Sequence, residues 1–314
     1  MIRRRAQGNG EVNRRESMQA CMVVITNRII ETGEEEYLEC ELQGDDLLDG
    51  ESFRMVDIQG LSADWAEENG IESGVSTIFA PGSYIDDDMN TLIVDTAAEV
   101  EVGRLGTHWY TKEGMIDSHS VVSQIGNAPD GNIAHTNLAN VIKKLLVIRI
   151  VAKDSSTTAT ETELADDIFG ASGDVVNLQS QYKACSYDQL QFNAVESNTE
   201  VGTDGVYTVY LPNNVIAGAS DRTIKTAAVN EASKQLGTLT NIADHVMLCL
   251  PPGTSGGWLA YAYINHWLSV YNDNWCRYPS GQMHEIGKLW FVLSCSTLLG
   301  KHWPEIRLQD TTWV

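Results

Sequence analysis

Short apolar runs broken by acidic and glycine-rich turns fill the first hundred residues, and a longer rhythm takes over after residue 140. Met22–Ile25, Tyr37–Leu42, Phe53–Ile58, Ser76–Ile78, Thr91–Val94 and Val100–Val102 read as short strands. Clusters such as Gly44-Asp45-Asp46 and Asp86-Asp87-Asp88 separate them, which is the spacing of a small β-sandwich or barrel. Asp86-Asp87-Asp88 lacks the glycine and bidentate glutamate of an EF-hand loop, so it is read as a solvated turn. Residues 103–140 are polar and turn-rich, with Asn127-Ala128-Pro129-Asp130-Gly131-Asn132 as the clearest loop. His108, His119 and His135 fall there without a shared spacing and are read as surface or satisfied histidines and not as ligands.

The second rhythm opens with the apolar run Lys144–Val151, a buried strand, followed by the Ser/Thr-rich linker Ser155–Thr160. Thr162–Phe169 predicts a helix stopped by Gly170, and Gln189–Asn193 and Gly205–Leu211 predict strands. Asp221 is placed to cap a helix over Arg222–Leu236 that ends at Gly237, with Ile224, Ala228, Ala232 and Leu236 on its apolar face. His245–Leu250, Trp258–Ile264 and Trp267–Tyr271 complete a sheet, and His266 is read as strand-turn surface. This order of elements predicts an α+β chain. Residues 1–20 form a polar arm, 22–140 a small β-rich domain, 141–287 a mixed-sheet domain and 288–314 a divergent tail.

Composition narrows the function classes. The chain has 314 residues, 43% of them hydrophobic, enough for packed cores. A net charge of −22 argues against nucleic acid and anionic membrane partners. No window of apolar residues is long enough to span a bilayer, and no signal-peptide core follows the N-terminal arginines Arg3, Arg4 and Arg5. The six cysteines are widely scattered and show no zinc-finger spacing. Buried thiols or disulfides both fit; Cys185, Cys249 and Cys276 are the better disulfide candidates, and spacing assigns no pairing.

Near the C-terminus stands Gly281-Gln282-Met283-His284-Glu285-Ile286-Gly287. In an H-E-x-x-H helix the two histidines lie four apart on one face and grip Zn²⁺, and the glutamate takes a proton from the attacking water. His284 and Glu285 occupy the first ligand and base positions, and Lys288 stands where the second imidazole belongs. A protonated lysine has no lone pair to give a metal.

With the preceding Tyr271-Asn272-Asp273-Asn274-Trp275-Cys276, this stretch resembles the gametolysin-like metallopeptidases of the metzincin group. Leu145–Val151, Gln181–Tyr187, Leu211-Pro212 and Val246–Gly253 fit the same family in order and spacing, so the likeness spans roughly residues 140–287. The resemblance implies an incomplete zincin-like domain, its twisted, mostly parallel sheet backed by two helices. It also implies zinc as cofactor, His284 as metal ligand, Glu285 as general base, a protein or glycoprotein substrate, and an extracellular or cell-wall location. The family pattern continues with a second histidine, a glycine and a third histidine, whereas this chain runs Lys288-Leu289-Trp290-Phe291-Val292-Leu293-Ser294. Downstream only His302 remains, and eighteen helical residues would carry it about 27 Å from His284. Two readings account for the break: a scaffold that has lost its metal, or a truncated or altered reading frame after Gly287. In the family a segment ahead of the peptidase part can serve as a propeptide, but residues 22–140 show no inhibitory cysteine motif.

Overall fold

The computed structural model describes residues 14–16, 20–30, 32–95, 100–104, 141–195, 204–216 and 218–288. The first part of the chain supplies β1 (Arg14–Glu16), β2 (Cys21–Ile30), β3 (Gly33–Glu41), β4 (Met55–Gln59), the short helix α1 (Ala63–Glu68), β5 (Ser76–Phe79), β6 (Tyr84–Asp86), β7 (Thr91–Ile93) and β8 (Glu101–Arg104). β2 and β3 zip into a hairpin from Met22↔Glu41 to Ile30↔Gly33, reinforced by a disulfide between Cys21 and Cys40. β2 extends well beyond the predicted Met22–Ile25 because it has pairing partners on both edges. The run Glu34-Glu35-Glu36 has poor strand propensity, yet cross-strand pairing holds it extended with Glu35 opposite Arg28.

Asp86-Asp87-Asp88 is not the solvated turn expected from sequence. Asp86 ends β6 and is buried, and its Oδ1 accepts from the backbone N–H of Asp88 (3.1 Å) and Met89 (3.0 Å). Asp87 pairs with the buried Arg54 at 2.8 Å. The turn is held by its own carboxylates, a local role open to any Asx turn.

The second part is built on β9 (Val141–Val151), followed by α2 (Glu161–Phe169), α3 (Leu178–Cys185), β10 (Leu190–Ala194), β11 (Val206–Tyr210), α4 (Asp221–Leu236), α5 (Leu239–Ile242), β12 (His245–Leu250), β13 (Trp258–Tyr263), β14 (Leu268–Asn272) and α6 (Pro279–Lys288). β9 pairs in parallel with β10, β11 and β12, and β12 pairs in parallel with β14. β13 runs antiparallel to β14, then β2 runs antiparallel to β13, so the described strands join in one mixed sheet. The architecture is therefore mixed α/β with a large mixed sheet, where sequence order predicted α+β.

Alternation along β9 explains the layers. Leu145 and Val147 share a core with Leu164, Ile168, Tyr182 and Ile286, from α2, α3 and α6. Leu146, Ile148 and Ile150 share the opposite core with Ile224, Ala228 and Ala232 from α4. A sheet covered on both faces needs continuous apolar strands, and that is how β9 and β12 read.

Local signals set the helix ends. Thr160 and Glu163 form a reciprocal capping box at α2, and Gly170 ends it in the left-handed region at φ 71°. At α4 the cap is Ser220, whose side chain accepts from Arg222 N at 3.3 Å. Asp221, expected as the cap, is the first helical residue and is buried against Arg28 and Tyr261. No described helix is long and apolar enough to cross a membrane. The loop at 127–132, His108, His119, His135, His302 and the tail beyond Lys288 lie outside the described residues.

Candidate functional site

Helix α6 carries the residues singled out by sequence. Pro279 begins it, its fixed φ suited to a first helical position, and the preceding Tyr278 is extended. A disulfide between Cys249 of β12 and Cys276 of the preceding 3-10 turn fastens the entry of α6 to the sheet. Tyr182 of α3 reinforces this by donating its hydroxyl to the carbonyl of Met283 at 2.9 Å. His284 and Glu285 thus lie on a helix seated against β13, as the motif requires.

The two side chains point into different surroundings. Glu285 is fully buried, and the backbone amide of Ala262 on β13 favours its charged form. Burial pushes its pKa up to about 7, against the opposing pull of Lys288. His284 is 45% exposed, with Nε2 3.4 Å from Oε1 of Glu34 on β3 and 4.0 Å from Oε1 of Glu285. Burial of its inner edge and the Lys288 charge lower the His284 pKa, while Glu34 opposes them.

Lys288 decides the chemistry. Its Nζ lies 3.4 Å from each carboxylate oxygen of Glu285 and donates to the carbonyl of Asn27 on β2 at 3.2 Å. Residues 144–290 match the family model of gametolysin peptidase M11. No curated protein and no solved structure matches the chain.

The gametolysin match runs from within β9 through α6, and the family implies zinc. The residues at this site do not fit that ion. One imidazole is present, an ammonium stands one turn along in place of the second, and position 294 is serine. A zinc site needs three or four deprotonated protein donors, and a cation beside the carboxylate repels a second cation. Among the described residues, no group of three or more His, Cys, Asp or Glu side chains is arranged to hold a metal. His266, read as surface, is instead buried, with Nε2 2.9 Å from Oε2 of Glu41 and its ring against Tyr263 and Trp267. It serves the packing of β3 against the β13–β14 turn and is remote in role from α6.

Sequence reading misses three participants here. Glu34, Asn27 and Ala262 reach α6 only through strand pairing, and nothing local in the sequence marks them. The disulfide candidates Cys249 and Cys276 do pair with each other, Cys185 is also disulfide-bonded, and no described cysteine is free. Such cross-links fit an oxidising, secretory environment.

Proposed function

We propose that this chain is a secreted gametolysin-type peptidase fold whose catalytic helix is silent, acting as a scaffold that binds protein. Its lineage is that of zinc metalloendopeptidases working on extracellular or cell-wall protein. The observation that carries the silence is the Lys288 ammonium seated 3.4 Å from both oxygens of Glu285. A carboxylate that is buried away from solvent and paired with an ammonium is poorly placed to collect a proton from an attacking water. His284 alone would remain as a metal donor.

Purified full-length chain should release no peptides from casein with or without added zinc, and should carry less than stoichiometric zinc after dialysis. Casein cleavage that disappears in Glu285→Ala would overturn the reading. The full motif would then have to be supplied in a way that leaves Lys288 aside.

A further inference from the structure

The outer edge of the gametolysin-matched sheet is closed by a strand from outside the match. Within residues 144–290 the last strand across the sheet is β13, bonded on one side to β14. Its other side is taken by β2, with Ala260↔Ile29, Tyr261↔Arg28, Ala262↔Asn27 and Tyr263↔Thr26 in register. An uncovered edge of this kind offers a row of N–H and C=O groups to any extended polypeptide. This edge adjoins α6, since Lys288 donates to the carbonyl of Asn27, the residue paired with Ala262.

The hairpin is anchored at three further places. At α6, Glu34 faces His284 and the Asn27 carbonyl accepts from Lys288. At the β13–β14 turn, Ser73 Oγ accepts from Ile25 N at 2.8 Å and donates to the Ile264 carbonyl at 2.6 Å. Across α4, Arg28 pairs with Asp221 at 2.8 Å, and Arg222 pairs with Glu39 at 3.3 Å and Asp57 at 2.7 Å. The apolar side chains agree: Met22 and Val24 of the hairpin sit in one core with Val246, Leu248, Tyr261 and Val270. Lifting the hairpin away would bare that core and leave Asp221 and Glu39 without their cations.

We propose that residues 21–41 are a resident strand partner, filling the β13 edge where an extended polypeptide would otherwise pair. On this view the segment is a permanent internal occupant and not a removable leader. The proposal rests on reading residues 144–290 as a gametolysin-type fold, though its failure would look different from the appearance of peptidase activity.

Cutting the folded full-length chain tests it. Residues 128–133 are replaced by a specific protease recognition sequence, and the chain is then cleaved. Neither described disulfide joins the two pieces, and the two remaining cysteines, Cys185 and Cys295, both follow residue 140. Cleavage removes the tether, so retention then reports the strength of the contact itself. The expected result is co-elution at about 1 μM protein, where a contact weaker than micromolar separates. Backbone amides of Asn27 and Ile29 on β2, opposite Ala262 and Ala260, should keep their hydrogen-exchange protection when casein is added as an unstructured probe. Separation of the pieces, or loss of that protection with casein bound, would overturn the proposal.

Discussion

Lys288 Nζ sits 3.4 Å from both carboxylate oxygens of Glu285, one turn earlier on the same helix. The carboxylate is wholly buried, so this ammonium is the nearest compensation for its charge. Glu285 has a folded pKa of about 7, above the ordinary 4.5, so its contribution to stability falls as pH rises between those values. Removing Lys288 raises that pKa further. Lys288→Met should therefore cost little at pH 5, where Glu285 is neutral in both proteins. At pH 8 it should cost about 1–3 kcal/mol, less than the full penalty of an orphaned buried ion because protonation offers an escape. Urea unfolding at the two pH values checks this; a deficit that is flat with pH would refute it.

What sequence could reveal here divides by physical cause. The α6 motif, the β9 run, the Gly170 stop and most strands after residue 140 follow from local periodicity and caps, and they stand where expected. The surroundings of the site do not follow, because Glu34, Asn27 and Ala262 reach α6 by pairing between distant strands. His266 shows the same limit: its partner Glu41 is 225 residues away in sequence. Glu34-Glu35-Glu36 gives no strand signal of its own, yet pairing with β2 holds it extended with its side chains exposed. Helix α3 is hard to see for a different reason, because its capping pair Asn177 and Ser180 is less telling than the Thr160 and Glu163 pair of α2.

A buried histidine sets acid sensitivity. His245 on β12 is buried, and desolvation drives its pKa down to about 3 from an ordinary 6.5. The unfolded chain then binds a proton that the folded one refuses, so this group removes stability as pH falls from about 6.5 to 3. The limit of that loss is on the order of 5 kcal/mol, at about 1.4 kcal/mol for each pH unit separating the folded and unfolded values. Asp57 works the other way, with burial pushing it up to about 6 despite Arg222, so its contribution grows as pH falls through 6. His245→Phe should flatten the acid limb of a stability-versus-pH curve or reverse its slope between pH 6 and 4. An unchanged acid limb would show that other groups govern it.

The disulfide between Cys249 and Cys276 spans 27 residues. Closing a loop of that length stabilises by roughly 3–4 kcal/mol in the chain-entropy account. It also fixes the entry of α6, so its loss should be felt locally. Replacing both cysteines with alanine should lower the melting temperature and raise hydrogen exchange first in α6, ahead of β9 and β12. Uniform loss of protection across the sheet would mean that the bond supports the whole core equally.

Gly74 offers the sharpest steric test of how the N-terminal strands meet the rest of the chain. Its φ is +70°, its N–H donates to the Val23 carbonyl at 2.9 Å, and a Cβ there would stand 2.3 Å from the Asn265 carbonyl oxygen. The obstacle is backbone of the β13–β14 turn and has no rotamer by which to withdraw. Asn265 is itself held left-handed, and its side chain donates to the Ser73 carbonyl at 3.2 Å, so the turn is pinned from both sides. Gly74→Ala must either push the 72–76 turn off β13 or twist its own backbone, and each route costs about 1–3 kcal/mol. Gly82 is the matched control, with φ +79° and open space where a Cβ would stand, so it isolates the conformational cost alone. Gly74→Ala should destabilise the chain by at least about 1 kcal/mol more than Gly82→Ala in equilibrium unfolding. Equal effects would mean that the Gly74–Asn265 approach is loose, and that the seating of β2 against β13 does not depend on it.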